Sequence, residues 1–85
     1  MKKAKRKISP RSPSAVDRYI GVRMRERRLA LNMSQEQLGR ELGVSFQQIQ
    51  KYEWGVNRVS AARLFEICKA LKVSLSSMFE RDPTK

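Results

Sequence analysis

Residues 34–55, SQEQLGRELGVSFQQIQKYEWG, carry the pattern that most restricts what this chain can fold into. Two short helix signals flank a four-residue connection, Leu42-Gly43-Val44-Ser45. Ser34 followed three residues on by Gln37 reads as a reciprocal N-terminal cap. The apolar spacing then runs through Leu38 and Leu42 and stops at Gly43. Ser45 opens the next helix, with Gln48 at the corresponding position, and Gly55 closes it. A glycine in the connection lets the backbone turn left-handed, which sets two helices of about eight residues at a steep angle. The second helix is then held proud of the body.

The flanking sequence supplies the body. Val16, Ile20 and Met24 form one stripe of an earlier helix, with Leu31 further along, and Asn32 reads as a left-handed stop. Ser60 caps a fourth helix whose apolar face is Leu64, Ile67, Cys68 and Leu71. Ser74 caps a last short turn carrying Leu75, Met78 and Phe79. No segment alternates with period two, so an all-α chain is predicted. Residues 1–14, MKKAKRKISPRSPS, hold six Lys/Arg, two Pro, three Ser and no acid. Too little apolar surface is present there to repay ordering. The expected organisation is a disordered basic N-terminal arm at 1–14, a folded domain at 15–80 and a short tail at 81–85.

Several function classes fall away on composition. The 85 residues bound the chain to one small domain. A net charge of +11 points to anionic partners: nucleic acid, an anionic membrane surface or an acidic protein. There is no His and one Cys, so neither an internal disulfide nor the usual structural zinc site can form. No apolar run approaches the ~18 residues of a membrane span. The basic start leads into Ser and Pro rather than an apolar run, so no signal peptide is expected. With no His, no paired carboxylates in an evident pocket and no metal cluster, an enzyme is not expected, and neither is a cofactor.

The third helix has an unusual polar side. On a wheel of about 100° per residue, with Ile49 taken as inward, Gln47 and Lys51 lie nearly opposite. Gln48 and Gln50 fall at the flanks, Tyr52 and Glu53 point inward, and Phe46 sits near the buried edge. Three amides and one cation therefore face out. Gln can present a donor and an acceptor to adenine N6/N7, and Lys can donate to guanine O6/N7. The plain alternative is a solvated face. Glu53 raises a separate question, since an unpaired buried carboxylate is expensive.

MSQEQLGRELGVSFQQIQKYEWG resembles the helix-turn-helix of phage repressor/Cro-type, XRE-like regulators, and the likeness extends from about Ile20 to Phe79. The resemblance implies a compact five-helix, lambda-repressor-like DNA-binding domain, dimeric on a palindromic operator in double-stranded DNA. It implies base contacts from Phe46, Gln47, Gln48 and Lys51. It implies phosphate contacts from Gln35, Asn57 and Arg58, with Gln35 also buttressing Gln47. It implies a structural salt bridge between Arg28 and Glu53. Asn32 stands where the family often has Gly. Phe46 stands where a polar residue is common, and either touches a thymine methyl or packs. Trp54 is large for its site, and either covers a sugar or lies over the fourth helix. Phe65 is offset from the core stripe, and either completes the core or is the apolar knob of a dimer.

The expected function is a bacterial, cytoplasmic, sequence-specific transcriptional regulator that binds DNA as a homodimer. The alternative is an antitoxin-like module of the same fold whose main task is a partner protein. Only Glu80–Lys85 follow the expected fold, so no ligand-sensing or toxin-wrapping segment is expected there, and no small-molecule ligand. Membrane binding is not expected of a chain with this capping and turn chemistry.

Overall fold

The computed structural model describes residues 14–80; the expected arm up to residue 13 and the tail 81–85 lie outside the described residues. Five helices follow in order: α1 (Ala15–Ala30), α2 (Gln35–Leu42), α3 (Phe46–Glu53), α4 (Ala61–Leu71) and α5 (Leu75–Met78). No strand occurs among the described residues. A serine opens every helix. The hydroxyls of Ser14, Ser34, Ser45, Ser60 and Ser74 accept from the amides of Asp17, Gln37, Gln48, Arg63 and Ser77. Each fills one otherwise orphaned donor, worth about 1 kcal/mol. Composition groups Ser14 with the basic segment, whereas the structure makes it the N-cap of α1. Asp17 returns the bond, accepting from Ser14 N–H at 2.7 Å.

Four helices also end alike. Asn32, Gly43, Gly55 and Lys72 take φ values of 57°, 74°, 74° and 60°. The next residue's N–H then reaches back to a carbonyl of the last turn: Met33 to Arg28, Val44 to Gly39, Val56 to Lys51 and Val73 to Cys68, at 2.9–3.0 Å. This is the left-handed closure that satisfies exposed carbonyls. At Gly43 this left-handed turn connects α2 to α3, and the sequence predicts that conformation there. Arginines cover other carbonyls at the helix ends. Arg63 donates to Leu42 O at 3.0 Å, Arg27 to Leu71 O at 3.0 Å and Arg23 to Ser77 O at 2.8 Å.

The core draws on all five helices: Ile20 and Met24 from α1, Leu38 from α2, Ile49 and Tyr52 from α3, Ile67, Cys68 and Leu71 from α4, and Met78 from α5. Burial pushes the Cys68 thiol above its ordinary value, as expected of a core thiol. Val16, Leu75 and Phe65 lie outside the core. Val16, in the first turn of α1, is exposed. Phe65 is 63% exposed, which removes its core reading; the Lys69 ammonium lies 5.6 Å from its ring centroid.

The α1–α3 crossing depends on Gly21. A β-carbon there would fall on the backbone carbonyls of Tyr52 and Glu53. Those are backbone atoms, so the contact cannot be relieved by a rotamer change. Gly21→Ala gains about 1 kcal/mol of helix propensity. Overpacking at a tight contact costs about 1–3 kcal/mol, and more where backbone must move. Urea denaturation of Gly21→Ala should therefore show a net loss of about 2 kcal/mol. A variant as stable as the parent would mean that the crossing is loose.

Candidate nucleic-acid interface

Glu53, the last residue of α3, is held from inside by one charged network. Arg28 and Glu53 are both buried, at 6% and 5% exposure. Their contact is bidentate: Arg28 Nε donates to Glu53 Oε2 at 2.7 Å and Nη2 to Oε1 at 3.0 Å. The remaining Arg28 nitrogen, Nη1, donates to Met33 O at 2.8 Å, in the link between α1 and α2. Gln35 Nε2 donates to Glu53 Oε1 at 3.1 Å. One carboxylate thus ties α1, the start of α2 and the end of α3 together. Such a pair is favourable when its partners saturate it and costly when one is removed.

With its inner side fixed, α3 turns a defined face outward. Ile49, Tyr52 and Glu53 are buried, Gln48 and Gln50 are half-buried, and Gln47 and Lys51 are exposed. That is the division the wheel predicts. Phe46 is 40% exposed at the N-terminal edge. The expected base-contact residues therefore share one helix, with Gln47 and Lys51 outermost.

The expected phosphate-contact residues are less uniform. Gln35 is the first residue of α2, and its amide is engaged by Glu53. Asn57 is half-buried in the loop after α3. Arg58 Nε lies 3.3 Å from Asp17 Oδ2, so this loop is fastened to the first turn of α1. Asp17 therefore serves both the Ser14 cap and the loop. Sequence reasoning missed the residue, although Ser14-x-x-Asp17 is itself a capping signal. The Gln35–Glu53 bond had no local signal, since it joins residues 18 apart.

Two separated helices and a turn, closed on a shared core, match a known domain. A family model described as helix-turn-helix matches residues 24–78. The chain belongs to the helix-turn-helix family. Within it, the chain is of the phage repressor/Cro, XRE-like type, a family of DNA-binding domains rather than enzymes. The helix-turn-helix chain is 60% identical over 70 residues to an HTH-type transcriptional regulator of Sinorhizobium fredii, covering 82% of this chain and 49% of that one. It is 58% identical over 64 residues to a transcriptional regulator in the ATPase CF(0) region of Rhodospirillum rubrum, covering 75% of this chain and 59% of that one. The chain thus spans about half the length of the curated relatives it matches. Among solved structures, the restriction-modification controller protein C.AhdI of Aeromonas hydrophila matches with TM-score 0.72 and 29% identity, over 78% of this chain and 100% of that one. The controller protein C.Esp1396I, solved as a tetramer with its natural 35 base-pair operator, matches with TM-score 0.71 and 25% identity, over 79% and 88%. No helix among the described residues is long and apolar enough to cross a membrane.

The charged network makes a direct stability prediction. Arg28→Ala leaves Glu53 buried with only an amide partner. Breaking one side of a buried pair costs about 3–5 kcal/mol. A double-mutant cycle of Arg28→Ala with Glu53→Gln, read by thermal melts without DNA, should show strong coupling. Additive losses would mean that the two groups do not depend on each other.

Proposed function

We propose that this chain is a sequence-specific transcriptional regulator that reads the major groove of double-stranded DNA with α3. It acts as a homodimer on a palindromic operator, in the bacterial cytoplasm. The observation that carries this reading is the face of Gln47 and Lys51, exposed on a helix whose opposite face is locked by Ile49 and the Arg28–Glu53 pair. Amide and ammonium groups there carry the donors and acceptors that major-groove edges require. Gln48 flanks them, and Phe46 reaches a thymine methyl from the N-terminal edge, where a recognition helix enters the groove. Gln35, Asn57 and Arg58 contact phosphates on either side, and the basic residues before Ser14 add further phosphate contacts.

The assembly of C.Esp1396I on its operator supports a multimeric reading. Phe65 offers an exposed apolar knob on α4 for the contact between protomers. A two-fold protein on two half-sites requires them about one helical turn apart.

A good bidentate base contact is worth about 1–3 kcal/mol of discrimination. Gln47→Ala and Lys51→Ala should lose that much on the preferred duplex and little on random DNA, with melting temperature nearly unchanged. Equal losses on both duplexes, measured by fluorescence anisotropy, would reduce the glutamines to a solvated face. In the same assay, inserting about five base pairs between half-sites should weaken binding, because the second helix then meets the wrong side of the duplex. Insensitivity to spacing would remove the dimer.

A further inference from the structure

We infer that Trp54 is a DNA-contact residue, its indole packed on a deoxyribose at the wall of the major groove with Nε1–H donating to a phosphate oxygen. The inference rests on the reading of α3 as the groove helix. Trp54 is the chain's sole tryptophan, and at 66% it has the highest exposure among the large hydrophobic residues described. That exposure removes the alternative in which the ring lies over α4. A side chain of this size is costly to leave in water and serves most naturally where a partner covers it.

Its position follows from backbone geometry. Trp54 keeps helical dihedrals (φ −80°, ψ −9°), and its N–H donates to Gln50 O at 2.9 Å. The helical register of α3 therefore continues through residue 54. Trp54 stands three residues after Lys51 and seven after Gln47, which places it on their exposed face, with Gln50 at the flank. The left-handed turn at Gly55 then fixes it. Gly55 N–H donates to Tyr52 O at 3.1 Å and Val56 N–H to Lys51 O at 3.0 Å. The base of the indole is held rigidly at the end of the recognition face.

Distance decides what Trp54 reaches. Seven residues at 1.5 Å each put it about 10 Å along the helix from Gln47. The major groove is about 12 Å wide, and a recognition helix meets base edges with its N-terminal residues. When Gln47 lies over the bases, Trp54 has passed them and arrives at the sugar-phosphate wall. The chemistry suits that wall. Indole has an apolar body for the sugar and a single N–H donor for a phosphate oxygen. It carries no charge, so it neutralises no phosphate and releases no counterion. It also reads no base, so it positions α3 rather than selecting a sequence.

The single indole reports on itself. The full chain would be saturated in turn with its preferred duplex and with a random duplex of equal length, and quenching of the tryptophan emission by acrylamide measured on each. Quenching should fall severalfold on both duplexes. Trp54→Ala should weaken both by roughly five- to tenfold. Its plot of log affinity against log salt should keep the parent slope, whereas loss of a cationic contact would flatten it. Trp54→Phe should recover part of the loss, because the ring stays while the N–H goes. Unchanged quenching on a saturated duplex that still discriminates against Gln47→Ala would overturn the Trp54 contact and leave the groove reading standing. Emission that follows protein concentration and ignores DNA would assign the ring to a protein contact and likewise overturn it. Failure to bind any duplex would overturn both readings together.

Discussion

Arg28 and Glu53 meet across the α1–α3 crossing, both nearly cut off from solvent. Their two hydrogen bonds could be replaced by apolar packing without a large cost in stability. What apolar packing lacks is direction. The guanidinium fork fixes the Glu53 carboxylate, the carboxylate takes the Gln35 amide, and the third guanidinium nitrogen takes Met33 O. Rotation of α3 about its own axis would break several of these bonds at once. The outward direction of Gln47 and Lys51 is therefore set from the buried side.

The short helices need such support. A helix of eight residues is not stable in water alone. Here each begins on a serine hydroxyl, and four end on a left-handed residue that returns an amide to the last turn. Arg23, Arg27 and Arg63 add bonds to carbonyls at or near the ends of other helices. Some of the chain's positive charge is thus structural. Arg28 and Arg58 belong with this group, one on Glu53 and one on Asp17. The basic character that suggests a nucleic-acid partner is shared between folding and surface.

Much of this was legible in the sequence, because its causes are local. Serine caps, the stops at Asn32, Gly43 and Gly55, and the inward positions of Ile49 and Glu53 all depend on spacings of a few residues. Other features depend on what lies across the fold. Gly21 carries no local signal of its role, which is set by the carbonyls of Tyr52 and Glu53 that lie against it. Phe65 has a hydrophobic residue's composition and a surface residue's environment, and only the packing of α4 separates the two. Gln35 looks like a helix-start residue facing phosphate, and its bond to Glu53 appears only when α2 and α3 are brought together. Val16 keeps the spacing of the α1 stripe but is exposed in the first turn of the helix.

On the reading proposed above, a face oriented by buried charge reads base sequence. Selection of bound sites from a pool of random duplexes tests it most directly. The orientation imposed by the Arg28–Glu53 pair predicts a sharp motif with two-fold symmetry and half-sites about one helical turn apart. A flat profile, with all duplexes retained in proportion to their abundance, would contradict it.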